Sequence, residues 1–259
     1  MALPSHRLLK ASRVLLFAGA AALSLSACAA NRTAVAEVDY SSLSRGQAQD
    51  NMSQLAAGYK KRPRDKATII AFAAALRAEG QPEQASAVLE NGIAVHPKDL
   101  DIRIAYAKAL TASGRFQQAL TVLDDVINPS APDWNALSVK GAVLDQMGRN
   151  EEARQLYNQA LVVAPNEASL EANLGLSYAM TSDLDSAEKH LRKAVAMRGA
   201  SSKIRQNLAL VVGLQGRFEE SRKLYAAELP PEDVESNMAY IRALLTQQNK
   251  WDAIEAAQG

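Results

Sequence analysis

The chain has 259 residues, of which 22% are charged, and a formal net charge of +1. A balance this close to neutral gives no basic surface for nucleic acid, and no run of like charges marks a disordered acidic or basic tail. Aromatics make up 5% of a chain rich in alanine. That composition suits close-packed helices, because alanine has the best helix propensity and lets backbones approach.

The first 27 residues read as a separate object. Arg7, Lys10 and Arg13 form a basic start, and an apolar stretch over 14–25 follows. It is shorter than the about 20 residues that a membrane-spanning helix needs and has the length of a signal-peptide core. It ends in Leu25-Ser26-Ala27-Cys28, and Cys28 is the single cysteine. These residues resemble a bacterial lipobox. The resemblance implies cleavage before Cys28 and a diacylglycerol thioether on its sulfur, the covalent lipid being the sole cofactor expected. Several acyl chains anchor stably, at about 0.8 kcal/mol per buried CH₂. By resemblance to the lipoprotein sorting rule, Ala29 favours the outer membrane. The competing reading is an ordinary secretory signal with a chance cysteine.

Residues 28–45 lack helical periodicity and read as a tether, with an r.m.s. span of roughly 20–25 Å if flexible. A helix is expected from about residue 46 to 61, with Met52, Leu55, Ala56 and Tyr59 on one face. Pro63 lies 34 residues before Pro97. Residues 46–65 therefore read as the second half of an incomplete leading repeat, a cap for the first full unit.

Five units of 34 residues follow: 66–99, 100–133, 134–167, 168–201 and 202–235. Gly80, Gly114, Gly148, Ser182 and Gly216 form one column at that spacing, and Ala85, Ala119, Ala153, Ala187 and Ser221 another. The eighth residue of each unit is small (Ala73, Ala107, Gly141, Gly175, Ala209) and the eleventh is large (Leu76, Leu110, Leu144, Tyr178, Val212). This pattern predicts two helices per unit, packed through the small residues, with a glycine turn between them. A 34-residue period is the mark of the tetratricopeptide (TPR) repeat. The fold class expected is all-α, a right-handed superhelical solenoid of helix–turn–helix units. Pro97 and Pro165 close two units, and Pro129 and Pro132 reshape the joint after the second. The period frays in the last unit, where Glu228 and Pro230-Pro231 intrude. Residues 236–259 read as capping helices, one over 238–248 and a short one from Trp251.

No metal-ligand spacing, nucleophile motif or phosphate loop is present, so neither enzyme activity nor a small-molecule substrate is expected. Function is expected on the first helices, which line the groove of TPR solenoids and bind polypeptide. The candidate groove residues are Ile70, Arg77, Ile104, Lys108, Asn135, Ser138, Asp145, Asn173, Leu176, Lys203, Gln206 and Asn207. Asn173 and Lys203 match two positions at which some TPR co-chaperones grip a terminal carboxylate. Asn207 stands where those proteins carry an Arg, and the loss of a bidentate guanidinium weakens such a grip. A carboxylate contact, a general polar groove contact and local structural bonding all remain open for these three.

The fifth unit reads Ile204-Arg205-Gln206-Asn207-Leu208-Ala209-Leu210-Val211-Val212-Gly213-Leu214-Gln215-Gly216-Arg217-Phe218. The third contains Gly141-Ala142-Val143-Leu144-Asp145-Gln146-Met147-Gly148-Arg149, and the fourth Asn173-Leu174-Gly175-Leu176-Ser177-Tyr178. In this order behind a lipobox they resemble the TadD family, the TPR lipoproteins of tight-adherence (Flp, type IVc) pilus assembly. The resemblance covers most of the chain after Cys28. It implies an outer-membrane lipoprotein facing the periplasm that acts like a pilotin. Its partner would be the secretin or another pilus component. The alternatives are a general envelope assembly lipoprotein, serving outer-membrane protein insertion or polysaccharide export, and a hydrolase or transglycosylase with an unfamiliar site.

Overall fold

The computed structural model describes residues 45–258. Segment 1–27, Cys28 and the tether up to residue 44 lie outside the described residues. Twelve α-helices and no strand occur among those that are described. They are α1 (Arg45–Lys61), α2 (Lys66–Ala78), α3 (Pro82–Val95), α4 (Leu100–Ala112), α5 (Phe116–Asp124) and α6 (Trp134–Gln146). Then come α7 (Asn150–Val163), α8 (Ala168–Met180), α9 (Leu184–Ala196), α10 (Ser202–Leu214), α11 (Phe218–Ala226) and α12 (Pro231–Gln258). The helices gather into two compact units that divide after Pro165.

The even-numbered helices from α2 to α10 each have 13 residues and begin 34 residues apart. Their starts are fixed by side-chain caps that satisfy otherwise orphaned backbone N–H groups. Asp65 accepts from Thr68 N, Asp99 from Ile102 N, Asp133 from Asn135 N and Ala136 N, and Ser201 from Ile204 N. Glu167, before α8, makes no such bond.

Their ends repeat one device. Gly80, Gly114, Gly148 and Gly216 take φ between +72° and +82°. The N–H of the next residue reaches back to a carbonyl five residues earlier, as in Gln81 to Leu76 (2.8 Å) and Arg115 to Leu110 (2.8 Å). This left-handed cap turns the chain into the second helix. Ser182 takes the same conformation at φ +62°, with Asp183 N bonded to Tyr178 O at 3.1 Å.

In the first unit, Ile69, Ala73, Leu76, Leu89, Ile102 and Ala109 form one buried cluster. The leading helix α1 closes it with Met52 and Tyr59, whose ring stacks on Phe72 at 5.2 Å. Each buried Leu or Ile stabilises by about 1.5–3 kcal/mol. In the second unit one cluster joins Ala172, Leu191, Ile204, Leu208 and Val211. Another joins Ala209, Tyr225, Val234, Met238 and Ile241. The small eighth residues let helices meet closely. A Cβ on Gly175 would lie 2.8 Å from Leu191 Cγ and 3.0 Å from the Ala187 carbonyl.

One element departs from the sequence reading. The last segment is one unbroken helix, α12, where a helix over 238–248 and a short one from Trp251 were expected. No glycine or proline falls between residues 232 and 258 to stop it, and Pro231 is preorganised for a first helical position. The irregular joints show in the second helices: α5 and α11 have nine residues, against 13 or 14 for α3, α7 and α9. Both short helices lead into the proline-bearing joints, at Pro129 and Pro132 and at Pro230-Pro231.

Candidate functional site: the faces of the first helices

In the first unit, α2 packs beside α4 and α4 beside α6, so these helices form a layer of their own. Of the candidate residues on it, Ile70, Arg77 and Asn135 are half-buried, and Ile104, Lys108, Ser138 and Asp145 are buried. Asp145 accepts hydrogen bonds from Tyr157 Oη (2.9 Å) and Asn150 Nδ2 (2.8 Å). Burial, with the Asp145 charge and bond added, pushes the Tyr157 phenol well above its usual range. Tyr157 therefore stays a neutral donor, and Asp145 clamps α6 to α7. Arg77, Lys108, Asn135 and Ser138 also have interaction partners of their own. This layer offers the half-exposed Ile70 and Arg77 and a largely internal polar set beside them.

In the second unit, α8 packs beside α10 and α10 beside α12. The faces of α10 can be assigned from its neighbours. Arg205 points to the second-helix side, where its guanidinium bonds Glu228 at 2.5 and 3.0 Å. Gly213 faces Ile241 of α12, and Ile204, Leu208 and Val211 enter the cluster with α8 and α9. Lys203 and Gln206, both half-buried, occupy the remaining face; Leu210, half-buried and packed against the Ala209, Met238 and Ile241 cluster, and Asn207, 9% exposed, lie at its edges. On α8, Asn173 and Leu176 are half-buried. Gln206 Nε2 donates to Ser202 Oγ at 3.1 Å, and Asn173 and Lys203 each have a partner as well.

The helix α12 carries further positions at the same spacing that the sequence reading did not include. Arg222 of α11 pairs with Glu235, and Arg242 lies 5.8 Å over the Phe218 ring, so that flank of α12 faces α11. Asn237, Tyr240 and Leu244 lie on the opposite flank, by the 3.6-residue helical period. Tyr240 is 41% exposed, one of three large hydrophobic residues that stand out in the described chain. The signal was available, because Asn237, Tyr240 and Leu244 follow Lys203, Gln206 and Leu210 by 34 residues each.

Taken as chemistry, the second unit's open positions carry amides, an ammonium, leucines and a tyrosine. Primary amides both donate and accept, which matches a peptide backbone, and the leucines and tyrosine supply apolar contact. Among the described residues no group of three His, Cys, Asp or Glu could hold a metal ion. No described helix is long and apolar enough to cross a membrane.

Paired helices joined by a left-handed turn, stacked within each unit so that neighbouring first helices meet, define a helical-repeat scaffold. Family models for the tetratricopeptide repeat match at residues 76–140 and 140–202. Residues 76–202 thus match tetratricopeptide repeats, and the described residues have the all-α fold of such repeats. It is 33% identical over 85 residues to human tetratricopeptide repeat protein 7A, a match that covers 33% of this chain and 10% of that protein. It is similar in fold to a thermophilic TPR protein of Thermus thermophilus, with a TM-score of 0.60 and 22% identity over 68% of this chain and 97% of that one. A tetratricopeptide repeat protein from Parabacteroides merdae gives a TM-score of 0.63 at 11% identity, covering 76% of this chain and 79% of that one. Such repeats serve as protein-binding scaffolds, and they are typically not catalysts.

Proposed function

We propose that this protein is a lipid-anchored scaffold of the outer membrane that faces the periplasm and holds a segment of a pilus-assembly partner. The partner would be the secretin or another component of the Flp (Tad) system, and the protein would act on it like a pilotin. The observation that carries the binding role is the face of α8, α10 and α12, where amides and apolar side chains recur at the repeat spacing. Peptide segments dock on such faces through a few apolar anchors and backbone hydrogen bonds. The Leu25-Ser26-Ala27-Cys28 sequence supports the anchor, and the likeness to TadD supports the client.

Two variants test the parts separately. Cys28→Ser is expected to release the protein from the membrane fraction and to reduce secretin multimers and surface pili. Wild-type levels of both would sink the anchored-pilotin reading. A Gln206→Glu, Leu210→Glu variant, still lipidated, is expected to stay in the outer membrane and lose co-purification with the secretin. Retained co-purification would reject this face as the binding surface.

A further inference from the structure

The second helices of repeats four and five are linked differently from the first helices. In the first-helix layer, α8 and α10 pack against each other along their sides. In the second-helix layer, α9 and α11 are not among the helix pairs in sustained close approach. Four long side chains span the interval between them. Arg192 Nη2 lies 2.6 Å from Glu188 Oε1 and 2.7 Å from Glu220 Oε1. Arg217 Nη1 lies 2.8 Å from both carboxylate oxygens of Glu188, and Arg217 also pairs with Glu220. Two acids and two bases thus alternate around a closed ring. Glu188 and Arg192 belong to α9, while Arg217 and Glu220 belong to the start of α11.

We propose that Glu188, Arg192, Arg217 and Glu220 form an ionic clasp that sets the spacing of α9 and α11, so that the outer edge between repeats four and five opens as salt rises. The clasp is placed to act in this way. Isolated surface ion pairs contribute little, but a closed network with bidentate guanidinium geometry is the exception. Three of its members are between 39% and 45% exposed in their side chains, so mobile ions reach them. The pairs within each helix hold with or without the partner helix. The cross pairs Arg192–Glu220 and Arg217–Glu188 therefore do the bridging.

The surrounding charges do not replace the clasp. Asp185 accepts from Gln215 Nε2 at 3.4 Å, Lys193 is turned to Glu171 of α8, and Arg222 is turned to Glu235 of α12. Mild acid is a poor key. Burial works to raise the Glu188 carboxyl, but the bonds from Arg217 and Arg192 outweigh it and hold it at about 2. Salt is the effective lever, and the proposal does not depend on what the unit binds.

The test uses the full chain with Cys28→Ser, which removes the sole cysteine. Spin labels go on Lys189→Cys and Lys223→Cys, exposed positions one repeat apart on α9 and α11. Pulsed electron spin resonance then reads their separation as sodium chloride rises from about 0.05 to about 1 M, a range over which the Debye length falls severalfold. The expected result is a shift to longer and broader distances. The double variant Arg192→Gln, Arg217→Gln, which removes both cross pairs, should show that shift already at low salt and respond no further. A wild-type distance independent of salt overturns the proposal, as does a double variant that behaves like wild type. Far-ultraviolet dichroism confirms that the variant keeps its helices, and the wild-type titration decides the matter if it does not.

Discussion

The two compact units solve the same packing problem with different means. The first packs apolar side chains behind the Tyr59–Phe72 stack and an internal Asp145–Tyr157 clamp, and its ion pairs, Lys66 with Asp99 and Asp101 and Lys140 with Asp124, use carboxylates that stay 23–58% exposed. The second ties its helices with carboxylates held by bases. Besides the clasp, Glu171 is 1% exposed and accepts from His190 Nδ1 (2.8 Å) and Lys193 Nζ (2.6 Å), and Glu228 is held by Arg205. The lesson is that one repeat pattern leaves the chemistry between helices open. The small and large columns set the spacing, and the cross-links are chosen locally. A buried charge such as Glu171 is stable only while its partners remain, since an uncompensated buried charge is costly.

The largest effects should come from the apolar core of each unit. Leu191→Ala and Leu89→Ala empty fully packed sites in the second and first units, and each is expected to cost about 2–5 kcal/mol. Hydrogen exchange should show the loss of protection centred on α8–α10 in the first case and α2–α4 in the second. Equal loss everywhere would break the division into units.

Next come the close approaches. Gly175→Ala is expected to cost about 1–3 kcal/mol by overpacking, because the added carbon meets the backbone carbonyl of Ala187 as well as Leu191. Tyr157→Phe removes the donor to Asp145 and should cost about 1–3 kcal/mol in the first unit. Denaturant midpoints check both.

Acid should act on both units, through Asp65, Asp99 and Glu152 in the first and a more buried set in the second. Glu171, Glu188, Glu220 and Glu228 all have carboxyls below the ordinary range. At Glu171 and Glu188, burial opposes the shift and the bonds from basic partners overcome it; at Glu220 and Glu228 the arginine bonds dominate. Groups with depressed values stabilise the fold above their unfolded values and lose that contribution as pH falls. For Glu188 the loss runs from its ordinary 4.5 down to about 2. Glu188→Gln should lower stability at neutral pH and flatten the acid limb of the melting-temperature profile over that range. An unchanged acid limb would count against the ionic account.

The smallest effect has the opposite sign. Ser182 holds the left-handed conformation that glycine adopts at the equivalent turns. Ser182→Gly is expected to stabilise the second unit by up to about 1 kcal/mol, since a side chain in that region costs roughly 1–2 kcal/mol. A lower melting temperature for Ser182→Gly would contradict this.

Much of the fold was legible in the sequence because it repeats. The starts at Lys66, Leu100, Trp134, Ala168 and Ser202 follow from the glycine and alanine columns, each reinforced by a turn that demands positive φ. The continuity of α12 was legible as well, since no glycine or proline interrupts residues 232–258; the decay of the repeat columns there suggested a break for which Lys250 and Trp251 carry no stop or start signal. For the candidate residues, the helix and the position on it are legible in the sequence, and burial has to come from the structure. Ile104, Lys108, Ser138 and Asp145 sit at groove positions by count, yet they are buried. Exposure depends on the neighbouring helix, and a rule that numbers one helix cannot see it. Tyr240 was overlooked for the converse reason, because the period was not carried past the fraying fifth unit.

The fixed interval between first-helix starts has a bearing on how such a chain can change over generations. The second helices vary from nine to 14 residues, and the loops absorb the difference within each unit. Loss or duplication of a whole unit, such as 100–133, would therefore preserve the reading frame and leave each remaining first helix at the proper offset from its new neighbour. The number of repeats is a quantity that recombination can adjust in single steps, while the two terminal helices, α1 and α12, stay in place.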